Sequence, residues 1–277
     1  MALPQHSPEA QISQVLLRLQ YKELARRGVP LAQLSDVEFR CYSQNGQDGI
    51  LLYIFSVIGT TNRRVVEICA GDGIECNAAN LIINHGWLGL LIDGDAQQIA
   101  QGKSFYGSCR TTWVSPPSLV NAWVTTDNIN RLVVEQGFSG PIDLLSLDLD
   151  GNDYWVWRSL DCIEPNVVVL EFNAACGPKR SVAMSYDSDF RLDHGVQPYR
   201  CGASLPAFVN LARRRGYRLV GVESLGFNAF FVREGIGEDI LPVRSIEECY
   251  ARNERLRRWT PSHLSLILSG PEKWEDV

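Results

Sequence analysis

Apolar positions recur along this chain with two different periods, and the change between them divides it. In the first forty residues Val15, Leu16, Leu19 and Leu24 recur at helical spacing behind Ser7-Pro8-Glu9, a cap-like serine followed by a first-turn proline. Gly28 and Pro30 stop that pattern. A second helix is predicted over 49–58, after the polar loop SQNGQDG. From Arg63 the apolar runs become short and continuous, as buried parallel strands require. Strands are predicted over 65–70, 88–92 with Asp93 at its end, 122–125, 142–149 and 167–172. Helices are predicted over 76–85, 128–136 and 155–160. An irregular polar stretch of roughly 173–202 precedes a helix over 204–215, which Gly216 ends. Strands over 218–222 and 228–232 and a charged helix over 246–259 close the chain.

Strands alternating with helices imply a parallel sheet with right-handed crossovers. The turn around Leu225-Gly226-Phe227 is too short for a parallel connection, so the last strand runs antiparallel. The expected fold is therefore α/β: a Rossmann-like class I methyltransferase sheet, mostly parallel with an antiparallel last strand, plus an N-terminal helical extension. A plain dinucleotide-binding domain lacks the closing hairpin. The expected division is a helical extension over 1–40, a cofactor-binding domain over 41–235 and a helical tail over 236–277.

Composition narrows the function. The formal net charge of -6 and pI near 5.3 argue against nucleic-acid binding and favour a small neutral or cationic substrate. No apolar run approaches the roughly 18 residues a membrane span needs. The N-terminus lacks the basic and apolar regions of a secretory signal. The 8 cysteines include no CxxC pair, which speaks against zinc knuckles and redox pairs. The expectation is a cytoplasmic protein with reduced cysteines, acting on a small molecule without nucleic-acid or membrane partners. Whether it forms a homo-oligomer, and whether the N-terminal helices cap the active site or mediate dimerisation, stays open.

The most specific local signal is the segment from Val66 through Asn77, where an acidic residue inside a strand precedes the G-x-G turn Gly71-Asp72-Gly73. Glycines let backbone approach a ligand closely, and a helix N-terminus offers it free N–H groups. The third glycine of a dinucleotide fingerprint is missing near Cys76. Glu67 is expected to point a carboxylate at the turn, which suits the ammonium of S-adenosylmethionine (SAM) and repels a pyrophosphate. The candidate cofactor contacts here are Glu67, Ala70, Gly71, Gly73 and Asn77. Asp93, ending the second strand, is placed to accept bonds from both ribose hydroxyls. Asn128, after the third strand, is a candidate adenine contact or equally a helix cap.

Three segments, SQNGQDG at 43–49, the glycine turn at 70–73 and DLDGNDYW at 148–155, together resemble the FkbM-type branch of class I methyltransferases over roughly 42–233. The resemblance implies SAM as cofactor and O-methylation as the commonest activity. It also implies that the loop 44–48, with Gln44 and Gln47, folds over the methionine end of SAM. Cys69 stands where that family commonly has glycine.

Methyl transfer needs an acceptor aligned with the sulfonium methyl and often a base for its proton. The predicted fourth and fifth strands end in Asp148 and Glu171, with Asn173 just beyond. Asp148 is a candidate for catalysis and for the SAM ammonium. Asp148, Glu171 and Asn173 form a candidate site for Mg²⁺ or another divalent cation. His194, in the long irregular stretch, is the candidate general base, and Tyr186, Tyr199 and Arg200 are candidate acceptor contacts. Trp155 and Trp157 read as packing residues, and the arginines over 213–215 and 252–258 as solvated helix faces. The leading expectation is O-methylation of a sugar-containing or secondary-metabolite acceptor. N-methylation, an intramolecular displacement on SAM and a non-catalytic SAM-binding module are the alternatives.

Overall fold

The structure, a computed structural model, describes residues 8–29, 33–192 and 201–277. Two helices come first, α1 (Pro8–Arg26) and α2 (Gln47–Ile58). Then follow β1 (Arg64–Ile68), α3 (Ala79–His85), β2 (Leu88–Asp93), α4 (Ala96–Ser108), β3 (Ser118–Asn121), α5 (Ile129–Glu135), β4 (Gly140–Leu147), α6 (Asp153–Ser159) and β5 (Ile163–Glu171). The remainder is β6 (Val182–Met184), α7 (Leu205–Arg214), β7 (Tyr217–Val222), β8 (Asn228–Arg233), α8 (Ile246–Arg252), α9 (Pro261–Leu268) and β9 (Trp274–Asp276).

Seven strands form one sheet in the order β3-β2-β1-β4-β5-β8-β7. All neighbours from β3 to β5 are parallel, and β8 runs antiparallel to both β5 and β7. This is the Rossmann-like class I methyltransferase sheet expected from the sequence. The short turn between β7 and β8 forces it, because only an antiparallel neighbour is reachable through so few residues. Side chains alternate across the sheet and feed two cores. Val66, Ile68, Leu90, Ile92, Val168 and Leu170 face one, while Val65, Leu91, Val167 and Val169 face the other. Both faces are covered, which is why these strands read as unbroken apolar runs.

Four expectations are corrected. The third strand is Ser118–Asn121, pairing Asn121 with Asp93, and 122–125 instead form the loop beyond it. Helix α4 carried no apolar stripe to announce it: of its 13 residues only Ile99, Gly102 and Tyr106 are buried, with Asp95 capping it through bonds from Gln97 and Gln98 N–H. Leu16 and Leu19 of α1 face outward, 63% and 56% exposed, while Gln14 is buried. Gln14 is drawn in by a polar network with Asn80 of α3 and His85. Finally, the closing helix breaks at Asn253, whose amide donates to the Glu223 carbonyl and accepts from Leu256 N–H.

The segment after that break folds back onto the body. A single turn at Leu256–Arg258 leads to α9, and β9 pairs antiparallel with β6 inside the stretch expected to be irregular. Cys249, Tyr250 and Leu256 belong to one of the two main cores. No described helix is long and apolar enough to cross a membrane. All eight cysteines are free.

Candidate active site

Between β1 and β4 the chain reverses its order of travel across the sheet, the place where open α/β sheets bind ligands. A cleft of about 1950 Å³ opens there over the C-terminal strand ends. Single ligands commonly fill about 300–1,000 Å³, so this cleft has room for two.

At the β1–β2 end, the glycine turn is held by its own strands. Cys69 and Ala70 N–H both donate to the Ile92 carbonyl of β2. Cys69, Gly71 and Gly73 have φ of 60°, 59° and 71°, the left-handed region that favours glycine. This is the physical reason a glycine suits position 69. Asp93 lines the cleft, with one carboxylate oxygen accepting from Gly71 N–H and the other from Asp95 N–H, each at 2.8 Å.

Several predicted contacts are used inside the protein instead. Glu67 does not face the cleft: it is buried and accepts from Asn77 N–H, Ala78 N–H and the Ser146 hydroxyl at 3.0, 2.6 and 3.1 Å. Burial raises its pKa, opposed by those bonds. Asn77 donates its side-chain amide to Ser146. Gly73 packs under Leu91 and Tyr106, which leave no room for a Cβ. Asn128 braces its own turn, accepting from Thr125 N–H and donating to the Trp123 carbonyl. Gln47 is buried and donates to Asn228 of β8. Within SQNGQDG, Asp48 is buried while accepting from Cys41, Tyr42 and Ser43 N–H, so most of that motif shapes the loop. Gln44, Ala70, Gly71, Asp93 and Asp148 do line the cleft.

The β4–β5 end is acidic. Asp148 and Glu171 hydrogen-bond to each other through their carboxyl groups, which requires a shared proton. Burial and then the Asp148 charge hold the Glu171 pKa well above the usual range, and burial raises that of Asp148 as well. Asp153, buried beneath them, is pushed up to about 7 by burial and the Asp148 charge while accepting from Leu149 N–H. Asp148, Asp150 and Glu171 bring carboxylate oxygens within 4.8 Å of one another. Asn173 lines the same cleft, its side chain accepting from Ala175 N–H and donating to the Cys201 carbonyl. Asp150, at φ 57°, adds a carboxylate to the Asp148 and Glu171 of the expected site. Cys69 and Cys201 also line the cleft, and burial pushes both thiols up, so they stay protonated.

His194, Tyr199 and Arg200 lie outside the described residues. Tyr186 accepts from Thr126 N–H, tying its strand exit to the β3–α5 loop. Trp123 of that loop donates to the Ser188 carbonyl and lies under Arg191, whose guanidinium is 4.6 Å from the ring centroid.

Sequence reasoning missed the wall opposite the sheet. Arg255, Arg258, Trp259 and His263 line the cleft from the C-terminal segment; the arginines are exposed, as expected of a solvated face, and two of them border the cleft as well. Trp259 donates to the Ala175 carbonyl at 2.9 Å, and a Cβ on Gly177 would collide with its ring. Leu256 fills the space left by Gly226. The available signal was Asn253 and Pro261, which interrupt the helical pattern and turn it over the cleft.

No family model matches the chain, and no curated protein matches it in sequence. Among solved structures it is similar to a SAM-dependent methyltransferase from Clostridium acetobutylicum, at 10% identity, 79% of this chain, 98% of that chain and a TM-score of 0.42. It is also similar to an O-methyltransferase from Bacillus cereus in complex with S-adenosylhomocysteine (SAH), at 14% identity, 79% and 89% coverage and a TM-score of 0.42. A third is the methyltransferase domain of bacterial CtHen1, at 13% identity, 68% and 97% coverage and a TM-score of 0.44. The strand order carries the fold assignment, and the site stands on its own residues.

Proposed function

We propose that this chain is a SAM-dependent methyltransferase of the FkbM-type branch that methylates a hydroxyl oxygen of a small-molecule acceptor. The observation that supports it most is the pairing, within one cleft, of Asp93 on β2 with the proton-sharing Asp148–Glu171 pair beside β4 and β5. A carboxylate offers about four lone-pair sites, and the backbone bonds to Asp93 occupy two of them. Two therefore stay available for a ribose diol. Gly71 leaves the backbone next to Asp93 without a side chain, and Gln44 borders the same space. SAM supplies, when bound, an electrophilic methyl group on a sulfonium centre.

The chain's own residues do the rest. In its ionised form Asp148, beside Glu171, accepts the proton of the acceptor hydroxyl, and the pKa that burial raises makes it the stronger base. Its negative charge in a desolvated setting favours a cationic cofactor nearby. Trp259 and Leu256 line the same cleft as the pair.

The convergence of Asp148, Asp150 and Glu171 favours a second reading, in which a divalent cation replaces the shared proton and binds the acceptor oxygen. Rates measured after chelation and after Mg²⁺ addition separate the two: the proton-sharing pair predicts no change, a metal site a loss and recovery.

Calorimetric titration with SAM, SAH and NAD tests the cofactor. Micromolar affinity for SAM and SAH without NAD binding is the expected result. NAD binding without SAM affinity overturns the proposal. Release of SAH with matched hydroxyl and amine acceptors then reports whether oxygen or nitrogen is methylated.

A further inference from the structure

The cleft has two walls of opposite charge. The sheet side presents carboxylates from four strand ends, including Asp93, Asp148, Asp150 and Glu171. The opposite wall presents Arg255, Arg258 and His263, all from one short stretch of the C-terminal segment. That stretch is firmly seated. Asn253 is buried and bonded to the Glu223 carbonyl, Leu256 is buried against Gly226, and Trp259 packs on Gly177. Two of these supports are glycines at φ 72° and 79°, where any side chain would displace the wall. Trp259 also donates to the carbonyl of Ala175, four residues beyond Glu171, so the wall is tied to the floor pair.

Arg255, Arg258 and His263 are exposed and border the cleft. Arg255 lies 4.1 Å over the Phe227 ring and has no ion-pair partner among the described residues. Arg258, itself exposed, pairs among the described residues with the exposed Glu254 at 2.9 Å, which a cleft ligand can replace. His263 accepts from Thr260 N–H through Nδ1 at 2.9 Å, so its neutral ring carries the proton on Nε2. Protonated or neutral, that nitrogen donates. A guanidinium beside an aromatic face with a second guanidinium nearby suits a carboxylate or phosphate.

We propose that the methyl acceptor carries an anionic group, a carboxylate or a phosphate, held by Arg255, Arg258 and His263 while its hydroxyl reaches the Asp148–Glu171 pair. This deepens the methyltransferase reading and rests on it for the word acceptor. It also reverses what the net charge of -6 suggested about the substrate, because a local basic wall outweighs the overall charge within a screening length. The floor carboxylates set the orientation: an anion is repelled from them and attracted to the wall, so only the uncharged end of the acceptor points at the pair.

The test is calorimetric titration of SAH-saturated protein at low salt with 4-hydroxybenzoate, 4-hydroxybenzamide and inorganic phosphate. It is repeated on the Arg255→Gln/Arg258→Gln double variant, whose exposed positions leave folding intact. The expected result is binding of at least one anion, no binding of the amide, and at least a tenfold loss in the double variant with SAH affinity unchanged. Preference for the benzoate marks a carboxylate, and preference for phosphate marks a phosphorylated acceptor. Amide binding as tight as that of the tighter anion, equal anion affinity in the variant, or no anion binding at all overturns the proposal. A parallel loss of SAH affinity also overturns it, since the arginines would then hold the cofactor. If wild-type protein binds no SAH but still binds anions through the arginines, the methyltransferase reading fails and the anion site stands.

Discussion

The two ends of the cleft use acidic residues in opposite ways. Under the β1 turn, Glu67 is buried with three donors on its oxygens, and Asp93 accepts two backbone N–H groups at its rim. These carboxylates stabilise a loop. Beside β4 and β5, Asp148 and Glu171 have mainly each other, with Asp153 and Asp150 adding repulsion. Those carboxylates are poised rather than satisfied. The difference teaches that a carboxylate is structural where buried donors fill it, as in Glu67, and chemically available where lone pairs stay open, as in Asp93, or where another acid is its neighbour, as in Asp148.

Substitutions at the two ends sharpen or break this contrast. The largest effect is expected at the poised end: Asp148→Asn lowers kcat/KM by about 10²–10⁴-fold, as loss of a general base does, while thermal stability holds or rises. Initial rates and melting curves check it, and a rate within a fewfold of wild type removes Asp148 from catalysis. At the satisfied end, Glu67→Ala leaves Asn77 and Ala78 N–H without their acceptor and is expected to cost about 3 kcal/mol or more in urea unfolding. A stable Glu67→Ala protein that has lost SAH affinity would erase the distinction between the ends.

Asp93→Ala is expected to weaken SAH binding at least about tenfold, the scale of one charged hydrogen bond. Unchanged affinity would remove Asp93 from the cofactor site. A pH series probes Asp153, whose folded pKa of about 7 stands above its ordinary value of 3.8. The folded state therefore binds the proton more tightly. Its contribution to stability is full below about pH 4 and is lost as pH rises through about 7, at no more than about 1.4 kcal/mol per pH unit. Asp153→Asn keeps an oxygen for Leu149 N–H and should flatten that slope. The smallest effect belongs to Cys69→Gly, which relieves a side chain at φ 60° and is expected to raise stability by about 1 kcal/mol.

Much of the fold was legible because strand burial and turn length leave local marks. The apolar runs near 65–70, 142–149 and 167–172 are close to β1, β4 and β5, and the short 225–227 turn dictated an antiparallel β8. Helix α4 left no such mark, because Gly102 packs against the Asp72 carbonyl and Leu119, and few apolar residues are needed there. Within the site, Asp93, Asp148 and Glu171 were legible as acids at strand ends. Glu67, Asn77, Asn128 and Gln47 have the same polar character, and nothing local shows that their partners lie inside.

By itself the sequence determined the alternation of strands and helices, the antiparallel closing strand and the carboxylates placed at the strand ends. Periodicity and turn length act over a few residues, so they can be read without knowing the fold. Only the tertiary structure decided which of those acids meet donors and which meet one another, and that the exposed Arg255 and Arg258 border a cleft. Those outcomes depend on residues far apart in the chain, such as Asn253 with Glu223 or Trp259 with Gly177. Hydrogen-bond satisfaction and desolvation are set by such neighbours, which no local pattern records.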